Sequence, residues 1–164
     1  MKKQTLLTFL LGQEYFAVNV TKVLEVLEKQ QITKVPQTPG YILGIINFRG
    51  EILPVVDMRQ KFNLPSQGED EKNNVIVYDI SNDTNKLIFA ATADTVKDVI
   101  EISESEIKPV PEMGISYNAK YISGAIRQKD DFILLLDIEK VFSLTEAESV
   151  QAITIRESNE IEIA

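Results

Sequence analysis

The chain repeats itself. GIINFRGEILPVVDMRQKF at Gly44–Phe62 aligns without a gap on GAIRQKDDFILLLDIEKVF at Gly124–Phe142, an offset of 80 residues. Further upstream, Phe16, Val20, Val23, Val26 and Leu27 correspond to Phe89, Ala93, Val96, Val99 and Ile100 at an offset of 73, and Ile32 and Pro36 to Ile107 and Pro111 at 75. Self-similarity at a nearly fixed period means that one supersecondary unit is used twice, and the changing offset puts the insertions in loops, where extra chain costs little. Each copy spans only about 70 residues, a size at which an isolated core is marginal, so the two copies are expected to pack against each other.

Helical periodicity is not sustained anywhere, whereas short β-rich runs bounded by Gly, Asn, Asp and Pro recur about every ten residues. The class read from this is all-β, a barrel or sandwich. Strands are predicted at Thr5–Leu11, Tyr15–Asn19, Ile42–Phe48, Glu51–Val56, Val75–Ile80, Lys86–Ala91, Tyr121–Arg127 and Phe132–Leu136, with shorter ones at Leu24–Leu27, Gln31–Val35, Val99–Ile102 and Ile107–Val110. Short helices follow at Asp57–Phe62 and Asp137–Leu144, and the polar segment Asn63–Asn73 divides the halves. One domain over residues 1–144 is expected, its first barrel mainly 15–80 and its second mainly 81–144, with room for strand exchange at the N-terminus. Gly44 and Gly124 fall within strands, where glycine marks a bulge or a close backbone approach. Residues 145–164 hold five acids and one Arg, and read as an acidic tail, disordered or loosely docked, with a weak strand pattern at Ala152–Ile155.

Composition removes whole classes of chemistry. The sequence has no His, Cys or Trp, which excludes Cys/His zinc sites, thiol nucleophiles, disulfides and any imidazole-based catalysis. A net charge of −8 speaks against nucleic acid and for protein partners. The longest apolar run, Phe132–Leu136, is far shorter than the roughly 20 residues that span a bilayer, so no membrane insertion is expected and the cytoplasm is the expected compartment. No metal or cofactor site is read. Asp57 and Asp137 occupy equivalent positions and invite comparison with a two-carboxylate hydrolase, but the contexts VVDMR and LLLDIE place them at strand ends before helical turns, where Asp is the expected N-cap. Asn47-Phe48-Arg49-Gly50 sets a guanidinium beside an aromatic ring at a turn. The second copy reads Gln128-Lys129-Asp130 there, so the shared packing does not demand Arg49, which is either an interface residue or a solvated turn arginine.

The segment PQTPGYILGIINFRGEILPVVDMRQKF, Pro36–Phe62, resembles the signature of the CheW family of chemotaxis coupling proteins. AVNVTKVLEVLE before it, and SEIKPVPE and YISGAI after it, extend the resemblance over about Leu6–Leu144. It implies two intertwined five-stranded SH3-like barrels and a non-enzymatic cytoplasmic adaptor that couples the cytoplasmic tips of methyl-accepting chemoreceptors to the regulatory domain of a CheA-type histidine kinase in membrane-associated arrays. Carried over position by position, it places Val23, Glu25, Val26, Gly44 and Arg49 on the receptor-gripping surface. Lys108, Glu112 and Met113 fall on a kinase-contacting surface that closes rings, although an aromatic residue is frequent in the family where Met113 stands. For the principal kinase contact the duplication points to Ile32 through Pro39, with Ile32, Lys34 and Pro36 as its candidate residues.

Three readings follow: a chemotaxis scaffold, an adaptor of the same fold in a non-flagellar array controlling gliding, pili or a second messenger, and a carboxylate hydrolase. The last demands that Asp57 and Asp137 meet in one cleft.

Overall fold

A computed structural model describes residues 2–64, 72–109, 119–129 and 131–163. Among the described residues, eleven strands and two α-helices run in the order β1 (Lys3–Leu11), β2 (Glu14–Asn19), β3 (Val23–Gln31), β4 (Ile42–Phe48), β5 (Glu51–Val56), α1 (Met58–Lys61), β6 (Lys72–Asp79), β7 (Ile88–Ala93), β8 (Thr95–Ser103), β9 (Ile107–Lys108), β10 (Ile122–Gln128), β11 (Asp131–Leu136) and α2 (Leu144–Ile163). They form two sheets, β3-β6-β7-β5-β4 and β8-β1-β2-β11-β10-β9.

The two sheets are copies of one another. Val55 pairs in parallel with Ala90, and Leu135 with Ala17, so the counterparts at offsets 80 and 73 make the same bond pattern. Each sheet curls shut through the chain that leaves its long edge strand: past β3, Thr33 exchanges two backbone hydrogen bonds with Ile45 of β4, and past β8, Lys108 of β9 pairs with Ala125 of β10. The repeat is exchanged between sheets. The β1–β2 hairpin, which leads the first copy, pairs with β8 and β11 of the second, while β6–β7, which leads the second, pairs with β3 and β5 of the first. β2 therefore lies in the second sheet and β7 in the first, whose strands run between residues 23 and 93.

The exchange explains why strand segments such as Ile133–Leu136 are apolar at every step. Leu53 and Val55 point into one barrel, and Ile133 and Leu135 into the other, each lining a small interior. The alternate residues Ile52, Val56, Leu134 and Leu136 face a larger core shared by the two. A strand covered on both faces reads as a continuous hydrophobic run and not as an alternating one. Aromatic rings fill the shared core, Phe16 lying 5.8 Å from Phe9 and 4.9 Å from Phe62, and Phe89 4.9 Å from Phe142.

Three expectations are corrected. Asp137–Leu144 is not a second short helix: Ile138–Lys140 is a single 3-10 turn and the chain re-enters a helix at Leu144. Gln31–Val35 is not an independent strand, since β3 already runs to Gln31 and only Thr33 pairs beyond it. The acidic tail is neither a strand nor disordered: α2 takes up residues 144–163 and buries Val150 and Ile153 in the shared core. Two aliphatic side chains so buried contribute about 1.5–3 kcal/mol each, enough to dock a helix of modest intrinsic propensity.

Candidate partner-binding site

β3 forms the open edge of the first sheet, carrying Val23 opposite Tyr78, Glu25 opposite Val77 and Val26 opposite Ile76. A bulge between Val23 and Glu25 turns successive side chains out of strict alternation. Val23 and Val26 are half-buried against the shared core, and Leu24 beside them is exposed. The β4–β5 turn brings Arg49 to this strip. Arg49 and Gly50 both have positive φ, +51° and +85°, the backbone of a type I′ hairpin turn, and Asn47 Oδ1 accepts a hydrogen bond from the Gly50 amide at 2.9 Å. From that turn Arg49 Nη2 donates to Glu25 Oε1 at 3.1 Å, and its guanidinium carbon lies 4.9 Å from the centre of the Phe48 ring. The arginine side chain is still 71% exposed, so the pair leaves most of its donors available to another molecule. An ion pair this exposed adds about 0–1 kcal/mol to the fold.

Four of the five residues assigned to the receptor surface, Val23, Glu25, Val26 and Arg49, thus share β3 and the adjoining turn. Gly44 lies on β4. It is buried at the bulge of β4, where a Cβ would sit 2.7 Å from the Thr33 carbonyl carbon and 2.9 Å from Ile32 Cγ2. Its counterpart Gly124 stands at the same bulge of β10, where a Cβ would sit 2.5 Å from Ile107 Cγ2 and 3.1 Å from the Lys108 carbonyl oxygen. Both glycines admit the backbone that closes their barrel, as their in-strand positions implied.

Among the residues assigned to kinase contacts, Lys34 and Pro36 are exposed and Ile32 is half-buried against the interior of the first barrel. Lys108 is exposed on β9, on the other sheet. Glu112 and Met113 lie outside the described residues.

The two aspartates serve as caps. Asp57 Oδ1 accepts from the amides of Arg59 and Gln60 at 3.1 and 3.4 Å, and Asp137 Oδ1 from the amide of Glu139 at 3.2 Å. Each carboxylate is thus spent on its own helical turn.

Sequence reasoning missed a charged cluster at the centre of the repeat. Lys61, with a side chain only 5% exposed, points its ammonium at Tyr41, 4.2 Å from the ring centre, with Phe142 at 5.4 Å and Tyr121 at 5.8 Å. Glu146 of α2 closes the cage, its Oε2 lying 2.5 Å from Lys61 Nζ. Burial opposes ionisation of Glu146, but hydrogen bonds from Lys61 and Ser143 outweigh it and hold the carboxyl below its ordinary value. Burial, reinforced by Glu146 and Tyr121, pushes the Tyr41 hydroxyl up to about 12. Tyr41 and Tyr121 are equivalent by the offset of 80, so two copies of one residue supply the cage walls while Lys61 has only Val141 as its counterpart. One signal for the capping helix was legible: Ser143-Leu144-Thr145-Glu146 is a capping box, and the Glu146 amide and Ser143 Oγ meet at 3.1 Å while the Ser143 amide donates to Glu146 Oε1 at 2.9 Å.

Comparison with known proteins agrees with this architecture. A CheW-like domain model matches residues 5–146. The chemotaxis protein CheW of Klebsiella aerogenes is 32% identical over 143 residues, covering 87% of this chain and 84% of its own. That of Treponema pallidum is 28% identical over 149 residues, covering 88% and 85%. The crystal structure of the scaffolding protein CheW from Thermoanaerobacter tengcongensis superposes with a TM-score of 0.75 at 27% identity, over 89% of this chain and 92% of that one. With its duplicated barrels, edge-strand surface and matching family model, the chain belongs to the CheW-like family of chemotaxis scaffold proteins.

Proposed function

We propose that the protein is a non-enzymatic coupler in the cytoplasm, joining the helical tip of methyl-accepting chemoreceptors to the regulatory domain of a CheA-type histidine kinase at membrane receptor arrays. The observation that supports it best is the Glu25–Arg49 pair at the edge of an apolar strip formed by Val23, Leu24 and Val26. An apolar strip accepts the hydrophobic face of a helix, and a guanidinium with free donors at its rim fixes that helix's orientation through a carboxylate or carbonyl. Gly44 acts indirectly, by letting Thr33 close the barrel. Kinase contacts are assigned to Ile32, Lys34 and Pro36 on the first barrel, to Lys108 on the second, and to Glu112 and Met113.

The test is a binding split. Arg49→Ala is expected to weaken binding of a receptor cytoplasmic fragment about tenfold or more, as for an interface arginine, while affinity for the kinase regulatory domain and the unfolding midpoint stay at wild-type values. Equal loss of both partners with the fold intact would remove the site assignment. Stimulation of a cognate kinase by receptor fragment plus this chain, read as phosphate transfer, distinguishes coupling from mere binding. Pairing with a kinase of a non-flagellar array instead would select the alternative adaptor role.

A further inference from the structure

We propose that Arg156 of α2 is a positioning residue for the Ile32–Pro39 segment, so that the C-terminal helix sets the kinase-binding shape of the first barrel without touching its receptor strip. This rests on the assignment of Ile32, Lys34 and Pro36 to the kinase contact.

Ile32 and Val35 pack against the two cores, but the rest of the segment has little to hold it by itself. Beyond the Thr33–Ile45 exchange, its attachment to the β4 strand is the Ile42 amide on the Pro39 carbonyl at 3.0 Å. Pro36 and Pro39 have no N–H to contribute to a ladder. Gln37 sits at φ +58°, in the left-handed region that costs a residue with a Cβ free energy unless its surroundings impose it. The imposing group comes from 120 residues further along the chain: Arg156 Nη2 donates to the Pro36 carbonyl at 2.9 Å and Nη1 makes a longer contact with the Gln37 carbonyl at 3.5 Å. One planar fork thus reaches two consecutive carbonyl oxygens. The guanidinium is in turn held by Glu157, whose Oε1 lies 3.2 Å from Nε and 3.1 Å from Nη2. Glu157 is 7% exposed, and a carboxylate so buried is costly unless paired, which ties the arginine to its orientation. Val150 and Ile153 anchor the helix that carries both. The receptor strip on β3 and the Arg49 turn make none of these contacts.

The experiment titrates the full-length chain, by calorimetry, with the kinase regulatory domain and separately with a receptor fragment, using Arg156→Ala, Arg156→Lys, Glu157→Gln and Lys34→Glu, and follows amide exchange at Gln37 to Ile42. Arg156→Ala is expected to speed exchange there and to weaken kinase binding about tenfold, the loss of a charge-assisted hydrogen bond. Receptor affinity stays within about twofold, Arg156→Lys recovers part of the loss, and Glu157→Gln falls in between. Unchanged exchange in Arg156→Ala overturns the clamp. Equal loss toward both partners, or unchanged kinase affinity when Lys34→Glu weakens it, overturns its role in binding. If Lys34→Glu leaves kinase affinity at the wild-type value, the contact assignment fails, and the exchange data alone decide whether Arg156 orders the segment.

Discussion

At the scale of single residues, the groups that were readable are those whose work is local. Asp57 and Asp137 cap the turns that follow them because an N-cap needs only an oxygen within reach of amides two or three residues on. Gly44 and Gly124 could be placed at bulges, but what crowds them could not, since Thr33, Ile107 and Lys108 arrive from another strand. The crowding is unequal, and so are its consequences. Gly44→Ala drives a methyl into the Thr33 backbone, whereas the same change at Gly124 presses mainly on the Ile107 side chain. Urea denaturation is expected to show Gly44→Ala destabilised by about 2–3 kcal/mol and Gly124→Ala by about 1 kcal/mol, within the range for overpacking. An equal midpoint shift for the two would contradict the barrel-closure role assigned to Thr33. Arg49 illustrates the opposite case: its backbone is shared with Lys129, both at positive φ, while its partners Glu25 and Phe48 belong to the first copy alone.

At the scale of elements, strand positions followed from composition and turn chemistry, and the long edge strands did not. β3 and β8 run nine residues each where four were expected, because pairing with β6 and β1 extends them through polar positions such as Gln30 and Thr95. α2 was the largest omission. Its capping box was visible, but its apolar positions Ala147, Val150 and Ile153 are a narrow stripe in an acidic segment, and stability comes from the core it covers. The electrostatic part of that docking has a definite pH dependence. Glu146 has a folded-state pKa below its ordinary value of 4.5, so its contribution is present above that pH and is lost as pH falls through the folded pKa. Helical circular dichroism and proteolysis after residue 143 should report α2 release only once the pH has fallen below the ordinary 4.5, and before the sheets unfold. Glu146→Gln should remove that acid step. At the alkaline end Tyr41 resists ionisation to about 12, so stability tied to its neutral form declines as pH rises from 10 toward 12.

For the whole molecule, the exchanged hairpins make two sheets one folding unit. Each copy donates its first two strands to the other, so neither sheet can form while the other copy is unfolded. Ion pairs at equivalent places tie helical turns to the links between copies: Arg59 of α1 to Asp94 between β7 and β8, and Glu139 to Lys22 between β2 and β3, with the signs reversed. Asp94 also accepts a hydrogen bond from the Gly12 amide of the β1–β2 turn at 2.5 Å, and its carbonyl accepts one from Asn74 Nδ2 at 3.0 Å, so α1, that turn and β6 meet on one residue. With only 13% of its side chain exposed, Asp94→Ala is expected to cost about 2–4 kcal/mol, less than a fully buried pair, and to shift a single transition seen alike by circular dichroism and tyrosine fluorescence. Two separate transitions would show that the barrels fold independently. By itself the sequence determined the duplication, the all-β class, the caps, the bulge glycines and the absence of imidazole and thiol chemistry, because periodicity, local hydrogen bonding and composition are properties of neighbouring residues. Only the tertiary structure decided which hairpin joins which sheet, that Glu25 meets Arg49, that Lys61 sits among aromatic rings under Glu146, and that α2 reaches back to Pro36. Those contacts join residues tens to more than a hundred positions apart, and the free energy that selects them is burial shared by both copies, which no local pattern encodes.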